Sequence, residues 1–211
     1  MPEVTAVSVP ADVHRENEDA FALGDGVAVV VDGAGLPKEL RSGCQHSVGW
    51  YADVLARAFR NQLVRRDSEM PQALAIAIAE VVDSHAAGCR LAEGSPSATV
   101  AAWRLHLDTV EYLVLCDASI VLGFKDGAAA EVTDDRITHA TTPLIEEQLR
   151  RIRSQRGSIT GADVRQARRT AVEQTRNRDG GFWCCHTDPR AAAAAIHGQV
   201  ERGTLRAIVA A

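Results

Sequence analysis

Hydrophobic and polar positions alternate in short β-branched runs at the start of the chain, over 4–9, 19–23 and 27–32, with Pro, Gly and charged residues between them. These runs predict strands. Apolar residues then move to helical spacing, with Trp50, Val54, Leu55, Ala58, Phe59 and Leu63 on one face. A second helix is predicted from Pro71, carrying Leu74, Ile78 and Val81. Strand patterns return at 97–105, 110–117 and 119–124, joined by turns short enough to demand antiparallel neighbours. Between Pro143 and Arg178 the pattern is polar, Arg-rich and helical, broken at Gly157 and Gly161. A strand at Gly181–Cys185, a short Ala-rich helix at 189–197 and a strand at 204–210 complete the prediction. Strands and helices come in blocks, not in βα alternation, which argues for an α+β fold with antiparallel sheets. No internal repeat or low-complexity linker divides the chain, so 1–211 is expected to form a single domain.

Composition narrows the function classes. The chain has 211 residues, of which 46% are hydrophobic and 24% charged, enough for one substantial core. A net charge of −5 argues against general binding to nucleic acid, which rests on clustered cations. No apolar stretch is long enough to cross a bilayer, and the first residues lack the basic-then-apolar layout of a secretion signal, so a soluble, cytoplasmic protein is expected with no membrane partner. The five cysteines (Cys44, Cys89, Cys116, Cys184, Cys185) are odd in number and contain no C-x-x-C. Reduced, mostly buried thiols are expected.

The most informative segments are Asn17-Glu18-Asp19-Ala20-Phe21, at a strand start, and Val29-Val30-Val31-Asp32-Gly33-Ala34-Gly35, at the next strand's end. Adjacent strands would bring Glu18 or Asp19 near Asp32 at one end of a sheet, and Gly33 would let its own carbonyl face a cation. Hard ions such as Mg2+ or Mn2+ take oxygen ligands, and in pairs they promote phosphoester hydrolysis. The plainer reading is that these are only a turn and a hairpin corner.

The order of signals along the chain resembles the type 2C class of metal-dependent serine/threonine phosphatases. The Asn-Glu-Asp-Ala strand start and the Val-Val-Val-Asp-Gly strand end are followed by two helices, Ser97-Ala98-Thr99-Val100-Ala101, then Leu115-Cys116-Asp117-Ala118-Ser119. In that family the last two blocks commonly read S-G-S/C-T and G-D-S. The spelling Gly43-Cys44-Gln45-His46 before Trp50-Tyr51, and Asn177 to Trp183 later, is similar to a bacterial branch. The resemblance implies an αββα sandwich, two antiparallel sheets flanked by helices, with a dinuclear Mn2+ or Mg2+ centre at one end. By motif position, Asp32 would bridge the two ions and Gly33 would offer its carbonyl. Glu18 would coordinate directly or through water, Asp19 would sit beside them, and Asp117 would serve a third, weaker ion.

Several positions depart from the family pattern. A phosphate-binding Arg commonly stands four residues before the Glu; here that position is His14, and Arg15 follows it. Ala34 and Gly35-Leu36 replace an Asp-Gly-His or double-Gly loop, so no general acid comes from that point. His46 is a conceivable replacement, with a structural role the simpler reading. The strand at 204–210 resembles one that in relatives runs into a second Asp-Gly, so a C-terminally incomplete sandwich, lacking two metal carboxylates, is expected. Self-association into a homo-oligomer through that strand's edge is expected to follow.

Other features weigh less. Nine arginines lie between 150 and 178 against the acids Asp163 and Glu173, which suits either a cationic flap (143–178) for phosphorylated substrates or a solvated helical face. Trp103 and Trp183 read as core or channel wall. Cys184, Cys185 and His186 lack a second ligand pair of suitable spacing, so no zinc site is expected. Gly33-Ala34-Gly35 is too short for a dinucleotide loop. The resulting expectation is a Mn2+- or Mg2+-dependent phosphomonoesterase acting on a phosphoprotein or a small phosphate ester. The alternative is a non-catalytic relative that keeps the sandwich as a binding module.

Overall fold

In the computed structural model of the chain, the residues described are 3–10, 12, 14, 16–35, 43–85, 87–91 and 94–211. The first hairpin forms where strand alternation is cleanest. Strands β1 (Asp19–Gly24) and β2 (Val27–Ala34) pair antiparallel around a turn in which Gly26 adopts φ +72, a conformation that costs glycine nothing. Val29 and Val31 turn to one side and are fully buried.

The side chains that bury them come from the next two elements. Helix α1 (Val48–Arg65) starts at Ser47, whose hydroxyl accepts from the Trp50 amide at 3.0 Å, and α2 (Met70–Asp83) carries Pro71 in its first turn. Leu55, Phe59, Leu74, Ile78 and Val81 are fully buried and share one core with Val29 and Val31. Each such side chain contributes on the order of 2 kcal/mol.

The sheet continues through β3 (Ser97–Leu105) and β4 (Thr109–Leu115), which is followed by β5 (Ser119–Phe124) and β6 (Ala129–Thr133). Helices α3 (Arg136–Arg156) and α4 (Gly161–Thr175) come next, and β7 (Ile196–Glu201) and β8 (Leu205–Ala210) close the order. The strands form two antiparallel sheets, one in the order β1-β2-β3-β4-β7 and one in the order β6-β5-β8. Ala101 and Val114 of the larger sheet meet Ile120 and Leu122 of the smaller one in a second core cluster. The α3–α4 hairpin is shaped by local signals: Gly157 ends α3 at φ +77, and Thr160 and Asp163 form a reciprocal cap on α4. Its Ile137, Ala140 and Val172 pack on Cys116, Phe182 and Cys184.

The expected α+β class with two antiparallel sheets and flanking helices is what forms, but individual elements differ. Residues 4–9 make no strand; Val7 and Val9 are 81% and 69% exposed, and their alternation finds no partner strand among the described residues. Gly181–Cys185 is not a strand either, since its residues make only isolated bridges, Phe182 with Arg176 and Cys185 with Ala98. Strands β6 and β7 form without a strand signal in the sequence, because their residues are mostly exposed and carry little apolar alternation. Helix α3 begins at Arg136, not at Pro143, and holds the proline inside it. Its start is fixed instead by the buried Asp134, which accepts from the Arg136 amide and guanidinium. The Ala-rich segment forms a short 3-10 helix at Pro189–Ala194.

Two polar clusters tie the layers together. Arg104, 4% exposed, donates to Glu111 at 2.7 Å and to the Ser68 carbonyl at 3.1 Å, so its charge is paired where water is excluded. His186 lies between Ser95, whose hydroxyl is 2.7 Å from its Nε2, and Tyr51, which donates to its carbonyl at 3.1 Å. The Ser95 hydroxyl donates to the Leu91 carbonyl at 2.9 Å, which leaves His186 Nε2–H as the donor to Ser95. Burial and then the nearby Arg176 charge push the His186 imidazole down to about 4, so it is neutral at neutral pH.

Two predictions follow from this packing. A Cβ at Gly33 would stand 2.4 Å from the Glu18 carbonyl oxygen and 2.6 Å from Val48 Cγ1, so Gly33→Ala should cost about 2 kcal/mol or more in urea denaturation. The second concerns acid. His186 has a folded value depressed below its ordinary 6.5, so its contribution is complete above 6.5 and is lost as pH falls from 6.5 toward 4. Stability should drop by up to about 1 kcal/mol per pH unit in that window, and His186→Asn should flatten the slope. An unchanged slope in the variant assigns the acid sensitivity elsewhere.

Candidate metal and phosphate site

Asp19 and Asp32 are direct register partners across the first hairpin, so both side chains leave it on the same face. That face is the one opposite Val29 and Val31. Ala28, two positions of alternation from Asp32, packs with Trp103, Leu205 and Ile208 and so marks the side that faces the smaller sheet. A cleft of about 780 Å³ opens there, with Asp19, Phe21, Val30 and Asp32 on its wall. Thr99, on β3, is the register partner of Asp32 from the other side.

Two further acids reach this corner. Glu18 is fixed through its backbone, whose carbonyl accepts from the Gly33 amide at 3.0 Å. Asp117 sits in the turn between β4 and β5, after Cys116 at φ +65. That left-handed turn suits the Gly of a G-D-S spelling and is strained for cysteine. The carboxyl of Asp32 is pushed up to about 6, first by burial, then by Asp19, and further by Asp117 and Glu18. Its side chain remains open to solvent on one side, so crowding by like charge is the more telling cause.

Among the described residues, none of these four acids is ion-paired to a Lys, Arg or His. Hard divalent cations would relieve that repulsion. The acids are not drawn into one tight set: the group of three ligand atoms lying within 4.8 Å of one another among the described residues is at Cys44, His46 and Cys89. A spread of carboxylates suits ions that keep several waters and are held by few protein oxygens. The donor set therefore fits Mg2+ or Mn2+.

The structure sets Asp19 opposite Asp32, ties the Glu18 carbonyl to the Gly33 amide, and leaves Asp117 near enough to act on the Asp32 carboxyl. His14 lies on the approach to this segment, exposed, with its backbone amide bonded to Asp12 at 2.9 Å. Arg15 lies outside the described residues. His46 is not among the groups acting on Asp32; it stacks on Trp50 with ring centroids 3.9 Å apart. The arginines of the helical hairpin divide into classes that composition does not separate. Arg150 and Arg151 pair with Glu147, Arg156 with Asp163, and Arg169 with Glu173. Arg176 leaves that face altogether and reaches Ser97 Oγ at 3.5 Å, near the start of β3. Only the register of 176–186 against β3 reveals this, because Asn177 holds the Cys184 amide at 2.8 Å and Cys185 bridges Ala98.

Comparison with known proteins agrees with this architecture. No curated protein sequence matches the chain. Among solved structures, the chain is similar to the catalytic domain of the serine/threonine phosphatase PstP, crystallised with two manganese ions: TM-score 0.51 at 14% identity, covering 92% of this chain and 70% of that one. The serine/threonine phosphatase of Staphylococcus aureus aligns with TM-score 0.54 at 10% identity, over 97% of this chain and 73% of its own. The PPM phosphatase of Mycobacterium smegmatis aligns with TM-score 0.50 at 13% identity, over 92% and 69%. At such identities the likeness is one of fold. The family model described as protein phosphatase 2C matches residues 12–180, which is most of the chain and includes the first hairpin and Asp117, and the chain belongs to that family.

Proposed function

We propose that the chain is a phosphomonoester hydrolase dependent on Mn2+ or Mg2+, acting on phosphoserine and phosphothreonine in proteins or on a small phosphate ester. The observation that carries this reading is the Asp19–Asp32 register pair at the mouth of the intersheet cleft, crowded by Glu18 and Asp117. Asp32 would be shared by two ions, Gly33 would offer its carbonyl, and Glu18 and Asp19 would complete the protein ligands, with Asp117 serving a further ion. Bound there, such ions supply an activated water and neutralise charge on the phosphoryl oxygens. The PstP catalytic domain, solved with two manganese ions, supports this ion type.

What the chain's own residues do is position and exclude. The hairpin register sets the separation of Asp19 and Asp32, and the Gly33–Glu18 backbone bond fixes the approach of Glu18. The cleft provides a wall on which the leaving group of an ester can rest while its phosphate faces the acids. His14 and Arg15, four and three residues before Glu18, would meet the phosphate. Arg165 and Arg168 have no ion-pair partner among the described residues and would draw an anionic substrate toward the helical hairpin.

Calorimetric titration with Mn2+ tests the centre: Asp32→Ala should weaken binding about tenfold or more and reduce Mn2+-dependent hydrolysis of a chromogenic phosphate ester about a hundredfold. Unchanged affinity would remove Asp32 from the centre, and tight Mn2+ binding without turnover would favour a binding module. For the helical hairpin, Arg165→Gln with Arg168→Gln should weaken phosphopeptide binding several-fold at low salt. The loss should shrink at high salt while stability stays within about 0.5 kcal/mol. Equal weakening at all salt concentrations would argue against electrostatic attraction.

A further inference from the structure

Before α1 the chain carries Cys44-x-His46, and after α2 it carries His85-x-x-x-Cys89. The α1–α2 hairpin returns on itself, so these two pairs meet behind it, joined by the Arg90 amide donating to the Gly43 carbonyl at 2.6 Å. Cys44 Sγ lies 3.8 Å from Cys89 Sγ, and His46 Nδ1 lies 3.6 Å from each sulfur. None of the five cysteines is in a disulfide, and 3.8 Å is far beyond a sulfur–sulfur bond. Three such atoms at these spacings match the edges of a coordination tetrahedron. With Zn–S of about 2.3 Å and Zn–N of about 2.0–2.1 Å, tetrahedral geometry places the sulfurs about 3.8 Å apart and each sulfur about 3.6 Å from the nitrogen.

A second observation points to the same ligand. His85 Nδ1 is 2.7 Å from the Val81 carbonyl, so Nδ1 carries the proton and Nε2 presents its lone pair. That Nε2 is buried and has no hydrogen-bond partner. The His85 ring stands edge-on to the His46 ring with centroids 5.1 Å apart. A histidine whose other nitrogen is fixed on a backbone carbonyl has the arrangement seen in metal-ligating imidazoles.

We infer that Cys44, His46 and Cys89 form a zinc site, with the unpartnered Nε2 of His85, whose ring is set beside His46 by its Val81 contact, as the fourth donor. Thiolate and imidazole donors select a borderline-soft ion and not Mg2+ or Mn2+, so this site is chemically distinct from the carboxylate corner. Four protein ligands leave no open position, which makes it a structural clamp and not a catalytic centre. It ties the loop entering α1 to the loop leaving α2. The proposed site shares no residue with Cys184, Cys185 and His186, the run for which no zinc site is expected. In that run the thiols are buried and the imidazole is hydrogen-bonded to Ser95.

The test uses the full 211-residue chain. Elemental analysis of protein purified without chelator should find one zinc per chain, and the stripped protein titrated with Co2+ should show the intense visible bands of tetrahedral cobalt with thiolate charge transfer. Cys44→Ser and Cys89→Ser should each abolish both signals, and His85→Ala should weaken the tetrahedral, thiolate-bound Co2+ signal about tenfold or more. Should the cysteine variants fail to fold, Zn2+ added to the stripped, unsubstituted chain must slow alkylation of Cys44 and Cys89. Zinc retained by Cys89→Ser, a Co2+ spectrum without tetrahedral thiolate bands, or alkylation rates indifferent to Zn2+ would each overturn the assignment.

Discussion

The segment Asn17–Glu18 is held in a vice with glycine on both jaws. On one side the Gly33 amide donates to the Glu18 carbonyl at 3.0 Å, and a Cβ at Gly33 would come within 2.4 Å of that oxygen. On the other, a Cβ at Gly49 in the first turn of α1 would come within 2.5 Å of the Asn17 carbonyl. Ser47 adds a hydrogen bond from its hydroxyl to Glu16 at 2.5 Å. The end of β2, the entry to β1 and the N-terminus of α1 are thereby brought to one point. Every acid in the candidate site except Asp117 takes its position from that point.

The remainder of the molecule keeps the vice closed. Alternation along β2 gives Val29 and Val31 to the helices and leaves Asp32 on the opposite face, so the same strand both anchors the core and presents the acid. A one-residue slip would reverse the two roles, burying a carboxylate against Leu55 and Phe59. The fully buried valines make that slip prohibitive, and the site inherits its geometry from the core behind it. The five-stranded and three-stranded sheets do not match in width, and the cleft beside β1 and β2 is the consequence of that mismatch.

How much was legible in the sequence depended on whether a feature was local. The first hairpin, α1, α2 and β3 to β5 could be predicted because apolar periodicity and turn residues lie within each element. The convergence of Asp19 and Asp32 was legible for the same reason, being set by a hairpin register over few residues. Strands β6 and β7 were not, since edge strands with exposed side chains carry no alternation to read. Residues 4–9 show the reverse error, a strand pattern without a partner strand. Pro143 misled through a true tendency, since proline favours a first turn, yet here the Asp134–Arg136 contact starts the helix earlier. The strain at Cys116 and the placement of Arg176 under β3 arise from tertiary packing and left no local signal.

The cysteine–histidine group shows why distance along the chain hides metal ligands. Two short pairs, each too small to signal a site alone, are separated by the whole α1–α2 hairpin, and only its closure brings their atoms to tetrahedral spacing. His46 then links the two chemistries of the molecule. Its ring stacks on Trp50 at 3.9 Å, one residue from Gly49, where the Asn17 carbonyl is pressed against α1. A zinc clamp at His46 would hold the first turn of α1 from behind while the Glu18 segment presses on it from the front. Soft donors on one side and hard oxygens on the other would keep the two ions from exchanging places. The helix N-terminus between them is the rigid element through which a structural metal can steady the acids that would bind a catalytic one.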